Sequence, residues 1–252
     1  MTDTVISEIS ERLAVIRLNR PHRLNAINRA LLADLALALE SAQSNPVVDV
    51  IVLTGEGRAF CAGDDLKEFD DQVGDRAATT AYVESIQDIT RLIMQRPKPV
   101  VGAINGWAAG GGLEWVANCD IAVMGETCRC FFPELSLGVF VTGGVTSLLP
   151  AAIGLQRAKE LIMLGEKFDA AAALHMGLVA RVVPDDQVVA TAMDVARRLA
   201  ALPQPMLRRT KQVLNEGYTN TLDRAMQIET DATVDGFLDP ATAGRVDGVL
   251  RG

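Results

Sequence analysis

Apolar and polar positions alternate from Val5 to Ile9 and again from Leu13 to Leu18, and the short gap between the two stretches predicts a β-hairpin. A polar loop from Arg20 to Asn25 leads into helical spacing from about Asn28 to Gln43. Asp49-Val50-Ile51-Val52-Leu53-Thr54 and Lys98-Pro99-Val100-Val101-Gly102-Ala103-Ile104 are β-branched runs closed by Gly55 and by Asn105-Gly106. Both predict buried strands that deliver the chain into functional loops. Between them, Tyr82, Ile86, Ile89 and Ile93 fall on one side of a helix expected over Ala77 to Gln95. Asp120 to Met124 resumes the strand pattern. The last third reads as helical near Leu155 to Leu164, Ala170 to His175, Asp186 to Ala201, Met206 to Glu216 and Leu222 to Gly236, interrupted by a strand from Leu178 to Val183 and punctuated by Pro203 and Pro205. Strands alternating with helices make the class α/β. No repeat, low-complexity tract or linker separates the helical end, which is expected to pack on the core or on a neighbouring subunit.

A chain of 252 residues is long enough to bury a full core without disulfide or metal staples. The 24 Lys+Arg against 32 Asp+Glu give a formal charge of −8, with no basic run, which disfavours nucleic acid and anionic membranes as partners. The amino end lacks the basic start and apolar run of a secretory signal, and no stretch reads as a membrane helix, so a cytoplasmic enzyme is expected. Cys61, Cys119, Cys128 and Cys130 lack zinc or redox spacing, and His22 and His175 are the only histidines, so no metal site is expected. His175 reads as a helix-end cation rather than a catalyst. No nucleophilic triad is visible. Gly55-Glu56-Gly57 lacks the third glycine of a dinucleotide fingerprint, and no phosphate-loop Gly-Lys-Ser/Thr occurs, so neither NAD nor ATP is supported.

Two glutamates carry the candidate chemistry. Glu114 follows Gly110-Gly111-Gly112-Leu113, and Glu134 follows Phe131-Phe132-Pro133. Adjacent glycines let a backbone approach a ligand closely, and where they open a helix, its free N–H groups can hold developing negative charge. A carboxylate one turn further on is placed to handle protons beside that charge.

Ala59-Phe60-Cys61-Ala62-Gly63-Asp64-Asp65-Leu66, Lys98-Pro99-Val100, Asn105-Gly106, Gly110-Gly111-Gly112-Leu113-Glu114, Cys119-Asp120 and Phe132-Pro133-Glu134 together resemble the crotonase superfamily of enoyl-CoA hydratases and isomerases. Order and spacing agree from Arg20-Pro21 and Leu24-Asn25-Ala26-Ile27 through Ala173 to Val183. The resemblance implies a spiral of ββα units over about residues 1–190 and a C-terminal helical trimerisation region over about 191–252, with trimers often paired into hexamers. It implies that the backbone N–H groups of Asp64 and Gly111 form an oxyanion hole for a thioester oxygen. It further implies that Glu114 activates water attacking the β-carbon of a trans-2-enoyl-CoA while Glu134 supplies the α-carbon proton. Two nearby carboxylates of this kind titrate as a coupled pair. No cofactor is implied beyond the coenzyme A that belongs to the substrate.

The resemblance also implies Arg23, Leu24 and Ala26 as candidates for holding CoA, together with Ala62, Gly63, Asp65, Leu66 and Lys67 of the second loop, with Lys67 near the phosphate or acyl entrance. Asp65 also reads as a structural cap or loop anchor. The chain departs from the pattern twice. The first oxyanion donor is commonly a small uncharged residue, yet here it is Asp64, whose carboxylate opposes an enolate unless it points away, is protonated or serves as an extra polar contact. The usual Pro-Gly-x-Gly-Gly stretch is replaced by Gly138-Val139-Phe140-Val141-Thr142-Gly143-Gly144, which puts Phe140 and Val141 in position to reshape the floor of the acyl pocket. The alternatives are a Δ3-Δ2 enoyl-CoA isomerase, in which Glu134 alone shuttles a proton, and a noncatalytic acyl-CoA-binding member of the fold. A second glutamate argues against the first, and retention of both glycine-rich loops argues against the second. Dehalogenase and hydrolase relatives often carry an aspartate shortly after the Glu134 position, and none occurs from Leu135 to Pro150.

Overall fold

The computed structural model describes residues 4–68 and 76–217. The hairpin forms as expected: β1 (Val5–Ser10) pairs antiparallel with β2 (Leu13–Leu18). Helix α1 (Arg29–Ser44) starts at Asn28, whose side chain caps it by accepting the Leu31 N–H at 2.9 Å. The chain then settles into a repeated unit of two strands and a helix. Strand β3 (Val50–Gly55) and the short β4 (Ala59–Cys61) precede α2 (Arg76–Met94). Strands β5 (Val100–Ile104) and β6 (Trp107–Ala109) precede α3 (Gly111–Asn118). Strands β7 (Ile121–Gly125) and β8 (Arg129–Phe131) lead through a 3-10 turn, Glu134–Leu137, to α4 (Val145–Ile153) and α5 (Leu155–Leu164). Strand β9 (Phe168–Asp169), α6 (Ala170–Met176), β10 (Arg181–Val183), α7 (Val188–Ala200) and α8 (Gln204–Glu216) follow.

The first strand of each pair enters one sheet and the second strand enters another, which winds the chain into the spiral that the resemblance implied. The large sheet has the order β1-β2-β3-β5-β7-β10 and is parallel from β2 onward. The small sheet has the order β4-β6-β8-β9, with β4, β6 and β8 parallel. Central strands of the large sheet are apolar on both faces because both are covered. Val50, Val52, Val101, Ala103 and Val123 pack with Val188, Ala192, Val195 and Ala196 of α7, while Ile51, Leu53, Val100 and Ile104 face the main core.

Several boundaries differ from the sequence reading. The strand expected from Leu178 begins at Arg181, because Gly177 ends α6 in the left-handed region (φ 81°) and Leu178 N–H donates back to Ala173 O at 2.9 Å. His175 lies in the last turn of α6, the helix-end position expected of it. Helix α4, absent from the sequence reading, follows Gly143-Gly144 and carries Pro150 in its interior. The helix expected over 222–236 lies outside the described residues.

Residues of the shared motifs that carry no chemistry hold the layers together. Lys98 Nζ donates to the Ala42 and Asn45 carbonyls at 2.8 and 2.6 Å, closing the C-terminal end of α1. Asn105 accepts from Gly55 N and donates to Gly57 O. Asp120 accepts the Val100 N–H and pairs with Lys211 of α8 at 2.8 Å. Lys211 is 6% exposed and also donates to the carbonyls of Ile93 and Lys98. Replacing Lys211 by Met strands the Asp120 charge, and urea unfolding is expected to show a loss of about 3 kcal/mol. A loss under about 1 kcal/mol would mean that solvent screens the pair.

Candidate active site

Three parallel strands of the small sheet end side by side, and each carboxyl end delivers one part of the site. Strand β4 runs into Ala62-Gly63-Asp64, β6 into Gly110-Gly111, and β8 into Phe132-Pro133-Glu134. The carboxyl edge of a parallel sheet is where open α/β folds bind ligands.

The two glycine-bearing loops touch backbone to backbone. A Cβ at Gly112 would sit 2.3 Å from the Cys61 carbonyl oxygen, so only glycine permits the approach. Gly110 adopts φ 51°, ψ −128°, outside the range of L residues, and its N–H donates to Phe131 O. Helix α3 therefore starts at Gly111, whose N–H is one of the free donors of the first turn. The Asp64 amide is oriented by its neighbours. Ile27 N donates to Gly63 O and Asp65 N donates to Ile27 O, both at 2.8 Å, in a parallel bridge that turns the Asp64 N–H to the opposite side. Among the described residues no acceptor takes the Asp64 or the Gly111 amide.

The two glutamates bracket the Gly110–Gly111 peptide. A Cβ at Gly110 would lie 2.7 Å from Glu134 Oε1, and one at Gly111 would lie 3.9 Å from Glu114 Oε2. Glu114 is buried, its Oε1 accepting from Thr142 N and its Oε2 from Thr142 Oγ1, each at 2.6 Å. Burial raises its pKa, and the two Thr142 bonds oppose that rise. Glu134 begins the 3-10 turn and is 8% exposed; its Oε2 is buried and has no hydrogen-bond partner among the described residues. Burial above all, then the charges of Glu114 and Asp64, pushes its pKa up to about 7, against a backbone hydrogen bond that lowers it. The arrangement therefore holds two backbone amides not engaged among the described residues, a carboxylate fixed by two hydrogen bonds and a carboxyl group poised to exchange a proton near neutral pH.

The other expected site residues lie on the two loops that the Ile27–Asp64 bridge joins. The bridge between Ile27 and Asp64 sets Arg23, Leu24 and Ala26 alongside Ala62 to Lys67, and Ala62 N donates to Leu24 O. Arg23 and Leu24 are half-buried, Ala26 is buried, and Leu66 and Lys67 are exposed. Asp65 is buried with its carboxylate committed to Arg20 at 2.9 Å and to the Lys67 amide, which makes its side chain a loop anchor rather than a ligand contact. Phe140 stands 70% exposed, and Val141 is buried beside Thr142. Sequence reasoning missed Thr142, Tyr82 and Arg20, whose roles come from contacts across 28, 18 and 45 positions. Among the described residues no three His, Cys, Asp or Glu side chains gather where a metal ion could be held. The four cysteines are free thiols, and burial pushes Cys61 and Cys119 up to about 12, where neither supplies a thiolate at neutral pH.

The sequence pattern of the enoyl-CoA hydratase/isomerase family matches residues 8–239. This chain belongs to that family. Among the relatives of this hydratase/isomerase chain, the crotonyl-CoA hydratase of Syntrophomonas wolfei is 33% identical over 231 residues, covering 91% of this chain and 88% of its own. The 1,2-epoxyphenylacetyl-CoA isomerase of Escherichia coli is 34% identical over 233 residues, covering 92% and 89%. An enoyl-CoA hydratase structure from Geobacillus kaustophilus superposes with a TM-score of 0.90 at 31% identity, covering 98% of this chain and 95% of that one. The two-sheet spiral is thus the family's fold, and the names of its relatives span a hydratase and an isomerase of CoA thioesters.

Proposed function

We propose that this protein is an enoyl-CoA hydratase, adding water reversibly to the double bond of a trans-2-enoyl-CoA. The observation that carries the proposal is the bracketing of the Gly110–Gly111 peptide, with its free N–H, by the Glu114 and Glu134 carboxyl groups. The thioester oxygen accepts from the amides of Asp64 and Gly111. Water oxygen bonds to the β-carbon as its proton passes to Glu114, the π electrons move onto the thioester oxygen, and the resulting enolate takes the Glu134 proton at its α-carbon. Dehydration runs the same steps backward. Arg23, Leu24, Ala26 and Lys67 hold the coenzyme A portion at the entrance, and the reaction needs no further cofactor.

Isomerisation of a 3-enoyl-CoA is the second reading, favoured by Glu134, whose Oε2, without a partner among the described residues, can serve as a lone proton shuttle. The two differ in the sign of their pH dependence. Hydration starts with Glu134 protonated, so kcat/KM is expected to fall as pH rises through about 7, where Glu134 loses its proton. Isomerisation starts by removing an α-proton, which needs the ionised carboxylate, so its kcat/KM rises through the same range. Profiles taken with both substrate types check this directly.

The deciding assay offers crotonyl-CoA and longer trans-2-enoyl-CoAs, following loss of the conjugated thioester absorbance, beside trans-3-enoyl-CoAs whose isomerisation raises it. Loss with formation of 3-hydroxyacyl-CoA supports the hydratase. A rise from 3-enoyl substrates alone overturns it in favour of the isomerase, and binding without turnover of either leaves a noncatalytic acyl-CoA binder. Leu137, Leu155 and Leu164 are exposed apolar side chains of the 3-10 turn and α5; the homotrimer or hexamer that the family resemblance implies is the assembly we infer. Sedimentation gives its mass. Among the described residues no helix is long and apolar enough to cross a membrane, and the acidic chain fits a cytoplasmic enzyme.

A further inference from the structure

Asp64 is the departure that the hydration chemistry does not absorb: a carboxylate attached to the residue whose amide is to hold an enolate oxygen. The residue is exposed to solvent, yet the protein around its carboxylate raises its pKa by desolvation, and its negative charge opposes ionisation of both Glu114 and Glu134. Left free to rotate, that carboxylate would compete for the oxyanion position. It is not free, because Tyr82 Oη donates to Asp64 Oδ1 at 3.0 Å. Tyr82 is buried in α2, its ring packed in the main core, and the guanidinium of Arg29, the first residue of α1, lies 5.1 Å from the ring centroid. Two helices thus fix the hydroxyl that fixes the carboxylate. Burial and the Asp64 charge hold the Tyr82 hydroxyl in its protonated, donating form.

We infer that the Tyr82–Asp64 hydrogen bond is the positioning element of the first oxyanion donor: it keeps the Asp64 carboxylate on the α2 side and fixes the peptide plane that aims the Asp64 N–H. The inference rests on the hydratase reading for what that amide binds. On one side the loop is already held by the bridge to Ile27 and by Arg20 on Asp65, and the Tyr82 bond supplies the remaining constraint at Asp64 itself. Tyr82 touches no reacting atom in this scheme. It acts through the direction of an amide, so its loss should appear in transition-state stabilisation and leave ground-state binding alone.

The test uses the full chain with acetoacetyl-CoA, a 3-oxoacyl thioester whose bound enolate is visible by ultraviolet absorbance and reports the oxyanion hole without turnover. Tyr82→Phe keeps the buried ring and removes only the donor. It is expected to lower the bound enolate fraction and kcat by about tenfold, less than the roughly 10²-fold that a displacement of about 1 Å can cost. KM and total affinity should stay within about twofold. Asp64→Ala should fall in the same direction, Asp64→Asn should recover part of that loss because its amide oxygen still accepts from Tyr82, and the double variant Tyr82→Phe/Asp64→Ala should be no worse than the weaker single. An unchanged enolate fraction in Tyr82→Phe overturns the inference. So does a failure of Asp64→Asn to recover anything, which would assign the effect to charge, or a rise in KM at constant kcat, which would place Tyr82 in substrate binding. A wild-type protein that binds acetoacetyl-CoA without enolising it overturns it as well. A wild type that turns over no enoyl-CoA, while its enolate signal follows the expected pattern, sinks the hydratase reading and supports the positioning role.

Discussion

Replacing Glu134 by Gln is expected to lower kcat for both hydration and isomerisation by on the order of 10²–10⁴-fold, with acyl-CoA affinity retained. Both reactions move a proton at the α-carbon, and Glu134 is the carboxyl group whose Oε2 has no competing partner among the described residues. Glutamine keeps the shape and a hydrogen-bonding end but exchanges no proton. Kinetics with a 2-enoyl and a 3-enoyl substrate, beside a binding titration, separate the outcomes. Loss of affinity with kcat intact would make Glu134 a binding residue and remove it from the chemistry.

The same variant carries a stability signature of opposite sign to its activity. Folding raises the Glu134 pKa from 4.5 to about 7, so between those values the folded protein holds a proton that the unfolded chain has released. Stability is therefore lost as pH rises from about 4.5 through about 7, a penalty on the order of 3 kcal/mol once the group is ionised. Glu134→Gln removes that penalty, and its denaturant midpoint should exceed that of the wild type above pH 7 and approach it near pH 4. A residue that destabilises the fold where it does chemistry is the usual trade between activity and stability.

The covered strands of the large sheet were legible because Val50 to Thr54 and Val100 to Ile104 are long enough to show an apolar run. The strands that build the site were not. Ala59–Cys61, Trp107–Ala109 and Arg129–Phe131 have three residues each, too few for a period, and only their pairing with one another identifies them. Glu114 and Glu134 stood out through their neighbours, glycines and a proline, whose backbone demands are local. What holds the carboxylates is not local: Thr142 reaches Glu114, and Tyr82 reaches Asp64, through folds of the chain that no nearby residue announces. Adjacent aspartates show the limit most clearly. Asp64 and Asp65 are equivalent as letters, yet one is exposed and held by Tyr82 and the other is locked under Arg20.

Glu114→Gln is expected to divide the two reactions that Glu134→Gln abolishes together. Thr142 donates to Glu114 from both its amide and its hydroxyl. A glutamine can keep that cradle, its oxygen accepting from the amide and its NH₂ donating to the hydroxyl oxygen, which can act as either partner. The side chain therefore stays in place while its capacity to take a proton from water disappears. Hydration should fall by on the order of 10²–10⁴-fold, about 3–5 kcal/mol of transition-state stabilisation. Isomerisation, routed through Glu134 and the same two amides, should fall by no more than about tenfold, the cost of altering the charge beside a shared enolate. Parallel rates on 2-enoyl and 3-enoyl substrates decide the matter, because the ratio of the two losses cancels any general damage to the fold. Equal losses would mean that Glu114 serves the enolate step itself, and the division of labour between the two glutamates would have to be abandoned.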